Sequence, residues 1–286
     1  MTKAIPLKRF SRQLLSFVSF YSGYCMFSEY LKLNYGARIL CFHGISDNPS
    51  NQYSVSASDF SIQMRFLADH YDIVPIDQLV RCIQEGKPLS SAMIAVSFDD
   101  GYQDFYTHAF PILQRNAIKA TVFLPTGSID GISKYKQVLP QSEFLSWDQI
   151  RELQQNGIDF GSHTVSHSSV TRLNQHETQY ELEISKERIE AEIHVSIKGF
   201  AYPYGTLRDT DPKIGKWISD SGYSWAVTSI SGVNGNKSNP FALRRTVIMR
   251  DDGVEGFKRA LKGALDGWIV MQKGGYYLER ITSFTR

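Results

Sequence analysis

Two groups of polar side chains follow apolar segments of the sequence and could together hold a metal ion. Asp99 and Asp100 come directly after one short apolar run, and His163 and His167 come after another. Adjacent carboxylates at the end of a buried strand are costly unless they hold a positive charge or transfer a proton, although one of them could instead cap the next helix. Two imidazoles four residues apart lie on one face of a helical turn, where they can bind one ion.

Asp100, His163 and His167 form the ligand set that these residue types favour. Two imidazoles and one carboxylate leave coordination positions open for water and substrate, as in catalytic zinc sites. The donor set suits Zn²⁺, with Co²⁺ or Ni²⁺ as alternatives in the same geometry. Such an ion activates water for hydrolysis, and the remaining carboxylate, Asp99, can accept the proton of that water.

A parallel sheet is the scaffold that the rest of the sequence predicts for these strand ends. From residue 38 onward, short apolar runs alternate with amphipathic segments, which is typical of βα units. The pattern predicts strands over residues 38–42, 93–98, 120–124, 158–162, 199–202, 225–229 and 243–248. It predicts helices over residues 59–71, 76–84, 111–116, 147–156, 174–194 and 212–220. We therefore expect an α/β fold, a single-domain distorted (β/α) barrel.

Four single positions carry specific expectations. Ser58 is expected to cap the first helix of the barrel. The charged side chains of the longest helix, Glu181 among them, are expected to form a solvated face. Asp104 is expected to be a first-turn charge that suits the helix dipole. Trp225 is expected in the core, with packing beneath a sugar ring as the alternative.

The composition is that of an ordinary globular protein. The 286 residues are 42% hydrophobic, with 31 basic and 29 acidic side chains, which excludes collagen, coiled coil and wholesale disorder. A net charge of +2 gives no electrostatic reason to expect nucleic acid as a partner. The three cysteines form no paired pattern, so neither a disulfide scaffold nor a cysteine zinc site is predicted, and a reducing compartment is favoured.

Residues 1–36 are expected to form a basic, amphipathic helical segment in front of the main domain, residues 37–286. No clear small-x-small cleavage site follows before Glu29, and the apolar stretch is too short and too interrupted for a spanning helix. The segment is expected to cover the folded domain; peripheral contact with a membrane and an uncleaved signal are the alternatives. The expected location is therefore the cytoplasm or the periphery of a membrane. The basic residues of the segment are Lys3, Lys8, Arg9 and Arg12.

Three segments resemble motifs of a known family. Residues 97–101, Ser-Phe-Asp-Asp-Gly, resemble the Thr-Phe-Asp-Asp-Gly motif of the polysaccharide deacetylase (NodB-homology, carbohydrate esterase 4) family. Residues 163–167, His-Thr-Val-Ser-His, match its His-Ser/Thr-x-x-His motif in the same order and spacing. Residues 200–205 resemble its Arg-x-Pro-Tyr segment from the proline onward.

The resemblance implies that residues 37–286 form a polysaccharide deacetylase-like catalytic domain with the family's distorted barrel. It implies a metal-dependent hydrolase that removes acetyl groups from an N-acetylated polysaccharide, oligosaccharide or glycoconjugate. It also implies that Asp99 is the catalytic base and that the backbone N–H of Tyr204 stabilises the oxyanion.

Two features depart from the family pattern. Ala201 stands where the family often has an arginine that pairs with the catalytic aspartate, and no Leu-x-x-His segment occurs near the C-terminus. His43, which ends an apolar strand, is expected to replace the missing general acid, because the first and last strands of a closed barrel are neighbours. Its alternative role is to cap the turn before Gly44. Arg245 could hold Asp99 ionised, with a surface salt bridge as the alternative.

Two other functions stay open at this stage. The same metal triad would serve an amidohydrolase acting on a small non-sugar amide. The departures at Ala201 and the C-terminus would also suit an inactive, glycan-binding relative. A binding module has no need of a base beside three metal ligands, so the sequence favours the carbohydrate N-deacetylase.

Overall fold

The computed structural model describes residues 7–31, 35–133, 137, 139 and 142–273. Lys3 of the expected N-terminal segment and residues 274–286 of the expected catalytic domain lie outside them. The strands are β1 (Arg38–Phe42), β2 (Gly44–Ser46), β3 (Ser54–Ser56), β4 (Asp72–Ile73), β5 (Met93–Phe98), β6 (Thr121–Leu124), β7 (Asp159–Ser162), β8 (Gly199–Ala201), β9 (Trp225–Val227) and β10 (Arg245–Val247).

Helices surround these strands. The α-helices are α1 (Leu7–Tyr21), α2 (Tyr24–Tyr30), α3 (Ala57–His70), α4 (Ile76–Gln84), α5 (Phe110–Arg115), α6 (Thr126–Ile129), α7 (Trp147–Gln155), α8 (Gln175–Ile193), α9 (Pro212–Asp220) and α10 (Gly253–Leu261). A π-helix spans Phe105–Ala109, and 3₁₀ turns span Val170–Arg172, Pro240–Ala242 and Arg250–Asp252. A last helical turn covers residues 268–273.

The main sheet is parallel and nearly closes into a barrel. Its strand order is β10-β1-β5-β6-β7-β8-β9, and β4 pairs with β5 beside this path. The two ends approach each other where Val227 forms a parallel bridge with Leu243, two residues before β10. There the N–H of Leu243 donates to the carbonyl of Ala226 at 2.9 Å and the N–H of Thr228 donates to the carbonyl of Leu243 at 2.8 Å. The predicted distorted barrel is therefore confirmed.

All seven predicted strands are present, and the predicted helices match to within two residues at each end. One predicted cap is wrong. Ser56, not Ser58, caps α3, because the helix begins two residues earlier and the Ser56 hydroxyl accepts from the N–H of Asp59 at 3.1 Å. The short strands β2 and β3, which lie beside the barrel, were not predicted.

The end of the barrel where the strands begin is closed by apolar packing. Side chains of α4, Leu79 and Val80 among them, pack in the same cluster as Trp225 and Phe123. Trp225 opens β9, is buried, and its indole N–H donates to Asp77 in α4 at 2.5 Å. Its predicted place in the core is confirmed. The sugar-stacking alternative is wrong, because this residue lies at the opposite end of the strands from the predicted site.

Two helices precede the barrel, and α1 packs against α10. Arg12 of α1 forms a buried ion pair with Asp252 and donates to the carbonyl of Val247 at 2.7 Å. Among the helices of the described ranges, none has both the length and the apolarity that crossing a bilayer requires.

Asp104 lies just before the π-helix and is largely enclosed rather than a solvated first-turn charge. One carboxylate oxygen accepts from the N–H of Ile45 at 3.1 Å, and the other is buried without a hydrogen bond from the described residues. Burial raises the pKa of Asp104 to about 7, against the lowering effect of the N–H groups of Ile45 and Phe105. The expected stabilisation by a helix dipole is therefore not the dominant effect.

We expect the Asp104→Asn variant to lose part of the pH dependence of stability. The folded state binds the Asp104 proton more tightly than the unfolded state, so this proton adds to the free energy of unfolding. The added free energy is full below about pH 4 and is lost as the pH rises through about 7. The neutral variant should therefore exceed the wild type in Tm by a few degrees at about pH 8 and differ little at about pH 4.

Thermal unfolding followed by circular dichroism at both pH values measures this difference. Asp148→Asn, at an exposed first-turn position of α7, is the control and should keep the wild-type pH dependence. The same pH dependence in Asp104→Asn as in the wild type would contradict the expected role of Asp104.

Candidate active site

The predicted site residues converge on one cavity of about 420 Å³ where the barrel strands end. His43 follows β1, Asp99 and Asp100 follow β5, and His163 follows β7. The carboxyl ends of parallel strands meet at one face of a barrel, which explains why residues far apart in sequence come together. Of the predicted residues, those that line the cavity are His43, Asp99, Asp100, His163, His167 and Tyr204.

Asp100, His163 and His167 are buried and converge with their ligand atoms. The Asp100 Oδ1 atom lies 3.6 Å from His163 Nε2 and 3.3 Å from His167 Nε2. Ligands that surround a zinc-sized cation tetrahedrally at about 2.1 Å are separated by about 3.4 Å. Asp100 Oδ1 is buried and receives no well-formed hydrogen bond within the described ranges, so its lone pairs remain available. These residues therefore fit a divalent cation.

A backbone carbonyl fixes the orientation of the His163 ring. The His163 Nδ1 atom lies 2.8 Å from the carbonyl oxygen of Ala201, so Nδ1–H donates and the lone pair of Nε2 faces Asp100. Burial lowers the pKa of His163 to about 4, although the nearby carboxylates oppose this shift. The imidazole is therefore neutral at physiological pH, as a metal ligand must be. Ala201 contributes here through its backbone, which any side chain at this position would supply.

The segment between the two histidines is a loop, and the predicted helical turn is wrong. Thr164 and His167 adopt left-handed backbone conformations, with φ values of 69° and 56°. Backbone hydrogen bonds from Thr126 and Gly127 in α6 to the carbonyls of Thr164 and Val165 hold the loop from one side. Such strained residues persist only where the surrounding structure determines their conformation.

Glu181 of α8 holds the same loop from the other side, and its predicted place on a solvated face is wrong. It is buried, and its Oε2 atom accepts from the N–H groups of Val165 and Ser166 at 2.8 Å each. Its Oε1 atom accepts from the Ser166 hydroxyl at 2.6 Å. The sequence pattern does not indicate this role, because Glu181 lies in a helix whose other charged residues, such as Glu183, are exposed.

Asp99 is held by a buried guanidinium. Arg245 Nη1 and Nη2 lie 2.6 Å from the two carboxylate oxygens, and its Nε–H donates to the carbonyl of Thr228 at 2.8 Å. Burial alone would raise the pKa of Asp99, but the charge and hydrogen bonds of Arg245 outweigh it and lower the pKa to about 2. Asp99 is therefore ionised. Because Arg245 is completely buried, this contact is not a surface salt bridge.

Alternation along the strands explains which side chains face the site. Successive residues of a strand point to opposite faces, so Cys41 and His43 share a face, as do Ser97 and Asp99 on β5. The Cys41 thiol lies 3.4 Å from Asp99 Oδ2, and burial raises its pKa well above the usual value, so it is a neutral hydrogen-bond donor. The His43 ring packs 5.1 Å from the Tyr53 ring. Its buried Nδ1 atom has no hydrogen-bond partner in the part of the chain described, so nothing there supports a capping role.

Tyr204 stands at the rim of the cavity. It adopts a left-handed conformation, with φ 62°, between Pro203 and Gly205, and its side chain is half exposed. Its ring lies 5.1 Å from the ring of His167. Backbone strain of this kind at a cavity rim is common in functional sites.

Several cavity residues were not predicted from the sequence. Arg12 comes from α1, Tyr53 precedes β3, and Trp268 and Gln272 follow α10. They belong to no motif and occupy no strand end of the barrel, so only the folded structure reveals them.

The site defines a class of protein. A parallel α/β barrel that brings together two histidines and one aspartate able to hold a cation, with an ionised carboxylate beside them, has the groups needed for metal-dependent hydrolysis. Residues 86–223 match the sequence model of the family described as polysaccharide deacetylase. The resemblance to the polysaccharide deacetylase family that the motifs predicted is therefore confirmed over residues 86–223.

Individual relatives agree with this assignment. YxkH of Bacillus subtilis (strain 168), which is named for a polysaccharide deacetylase, is 29% identical over 212 residues, 73% of this chain and 70% of its own length. The poly-β-1,6-N-acetyl-D-glucosamine N-deacetylase of Escherichia coli (strain K12) is 34% identical over 135 residues, 44% of this chain and 20% of that protein. The deacetylase PplD of Streptococcus pyogenes, solved in complex with acetate, superposes with a TM-score of 0.69 at 21% identity, covering 80% of this chain and 99% of that one. This last similarity confirms the fold.

We expect Glu181→Ala to weaken metal binding, because the loop that carries both histidines loses two backbone anchors. Groups that orient metal ligands typically contribute a factor of about 10 to 100 in metal affinity. Competition with a chromophoric zinc chelator measures the affinity. Glu183→Ala, an exposed residue on the same helix, is the control and should bind zinc like the wild type. Unchanged zinc affinity in Glu181→Ala would show that the loop holds its shape without this carboxylate.

Proposed function

We propose that this protein is a metal-dependent hydrolase that removes N-acetyl groups from a polymer of β-linked N-acetylglucosamine. The observation that carries the proposal is the ionised Asp99 beside the ligand group of Asp100, His163 and His167 in one cavity. The volume of about 420 Å³ lies within the usual range for small-ligand sites, so the cavity can take one sugar unit of a chain. The activity named for the Escherichia coli relative supports this substrate class.

We propose zinc as the cation at Asp100, His163 and His167. Two imidazole nitrogens and one carboxylate oxygen are donors that suit zinc, with cobalt or nickel as substitutes in the same geometry. When bound, the cation supplies a Lewis acid that polarises the acetamide carbonyl and makes water more acidic. The neutral His163 and the accessible lone pairs of Asp100 support this use of the three residues.

Asp99 acts as the general base in this proposal. Its carboxylate is ionised, faces the cavity and lies next to a ligand, so it can accept the proton of the attacking water. Arg245 is a positioning residue: its two contacts fix the carboxylate plane and, because the Cys41 thiol donates to Oδ2, leave the second lone pair of Oδ1 for the water. It thereby takes the role of the arginine that Ala201 replaces.

His43 acts as the general acid. It lines the same cavity from β1, the strand next to β5, and is half-buried, so a protonated ring can reach both solvent and the leaving amine. The backbone N–H of Tyr204 serves as oxyanion donor, and its strained left-handed conformation supports a defined direction for this group.

Of the two locations that the sequence left open, the cytoplasm and the periphery of a membrane, we propose the second, with residues 1–36 as the segment in contact. Their basic start and apolar continuation favour this site over the bulk cytoplasm.

We expect acetate release from oligomers of β-1,6-linked N-acetylglucosamine to require both metal and Asp99. Asp99→Asn keeps the size of the side chain but removes the basic carboxylate, so turnover should fall by about 10²- to 10⁴-fold, and chelation should abolish it. Zinc should restore the chelated wild type. Asp148→Asn, an exposed carboxylate, is the matched control.

The same assay separates the alternatives. Metal-dependent hydrolysis of small N-acetylated amides, with none of the sugar oligomers, would identify a non-sugar amidohydrolase. Zinc binding without acetate release from any substrate would identify a glycan-binding relative. Either result would overturn the proposed function.

We expect His43→Ala to lower kcat by about 10²- to 10⁴-fold while zinc affinity stays unchanged, because the general acid acts after the metal and substrate are in place. The kinetics of acetate release and the chelator competition measure the two quantities. His108→Ala, which removes a half-buried histidine outside the cavity, should keep full activity. Full turnover of His43→Ala would exclude His43 as the acid.

A further inference from the structure

Helix α1 is oriented with its apolar side toward solvent and its polar side toward the protein. Arg12, Ser16 and Ser19, which share one side of the helix, are buried. The opposite side carries large apolar side chains that are each about half exposed or more: Phe10, Leu14, Phe17, Val18 and Tyr21. A surface helix normally buries its apolar stripe, so this arrangement is the reverse of the usual one.

Buried polar contacts fix α1 in this orientation. The Arg12 guanidinium is paired with Asp252 and donates to the carbonyl of Val247, and the Gln13 amide donates to the carbonyl of Asp251 at 2.8 Å. Turning the helix to bury its apolar side would break a buried ion pair and leave a charge without a partner, which is strongly unfavourable. The exposed apolar side is therefore a stable feature of the fold.

Helix α2 continues this surface, which we call the apolar face and define by the exposed side chains of α1 and α2. More than half of the large apolar side chains that are exposed in the described structure lie in residues 10–35. The chain has no acidic residue before Glu29, and its first part is basic. In α2 the members of the apolar face are Tyr24, Met26, Phe27 and Tyr30.

We propose that the apolar face docks the protein on the surface of an anionic lipid bilayer. Aromatic and aliphatic side chains beside basic residues are typical of segments that lie in the interface of a membrane. A second copy of the chain is a poorer occupant, because a two-fold interface would bring the basic segments of both copies together. Anionic lipid instead attracts the basic residues, of which the sequence places Lys3, Lys8 and Arg9 at the start of this segment.

Helix α1 contributes both to the apolar face and to the lining of the catalytic cavity. Arg12 anchors α1 and also lines the cavity, as does Gln272, whose neighbours Val270 and Met271 are exposed. A protein bound through the apolar face would therefore hold its cavity close to the lipid surface. The consequence for catalysis, that the glycan is deacetylated near a membrane, rests on the proposed function. The docking surface itself assigns the expected peripheral contact to named side chains.

Co-sedimentation of the full-length protein with vesicles tests the docking surface. The wild type should bind vesicles of phosphatidylcholine and phosphatidylglycerol more tightly than vesicles of phosphatidylcholine alone, and less tightly at about 0.5 M than at about 0.1 M NaCl. The double variant Leu14→Ser/Phe17→Ser should weaken binding to the anionic vesicles by about tenfold or more. The control Ile62→Ser/Tyr180→Ser removes equally exposed apolar side chains from α3 and α8 and should bind like the wild type.

Two further measurements make the result decisive. Both double variants should release acetate from soluble oligomers at the wild-type rate, which shows that their fold and site are intact. Sedimentation without lipid should show no dimer that depends on Leu14 and Phe17. Such a dimer, equal loss of vesicle binding in both double variants, or no vesicle binding by the wild type would overturn the proposal.

Docking and catalysis fail separately in these assays. Vesicle binding by Asp99→Asn should equal that of the wild type, because this residue lies inside the barrel. Vesicle binding without acetate release from any substrate would contradict the proposed function alone. Acetate release by a wild-type protein that does not bind vesicles would contradict the docking surface alone.

Discussion

The buried ion pair between Arg245 and Asp99 is the interaction on which the arrangement of the site depends. A guanidinium and a carboxylate removed from water are stable only in close geometry and with their other hydrogen-bonding groups satisfied. The hydroxyl of Ser97 and the carbonyl of Thr228 accept further hydrogen bonds of Arg245. Arg245 opens β10, Asp99 follows β5, and β1 lies between these strands, so the Asp99 carboxylate is held only in a barrel whose last strand has joined its first.

This pair also separates the two adjacent carboxylates into different roles. The charge of Asp99 is balanced by Arg245, whereas Asp100 faces His163 and His167. With His163 neutral, Asp100 carries a negative charge that a cation between the ligands would balance. The environment, rather than the residue type, thus distinguishes the aspartate that we propose as the base from the one that we propose as a ligand.

Much of the fold was predictable because the barrel strands are short apolar runs separated by amphipathic helices, and burial on both faces imposes this pattern. The strand-end residues were predictable for the same reason. The loop between His163 and His167 was not, because left-handed conformations at Thr164 and His167 have no signature in those residue types. Glu181 was placed on the wrong face because its charge resembles those of its exposed neighbours, and only the loop packed against it requires a buried acceptor.

Two residues of the site, His43 and Arg245, lie outside the matched family segment and reach the site only because the barrel closes. Residues 86–223 contain the ligands and Asp99, but neither His43 nor Arg245. A linear motif cannot contain them, because β1 and β10 stand at opposite ends of the sequence and become neighbours only when the sheet closes. Closure equally lets α1 reach the cavity, since Arg12 pairs with Asp252 and contacts Val247 of β10. The segment that carries the apolar face is therefore attached beside β10, the strand whose pairing with β1 completes the cavity.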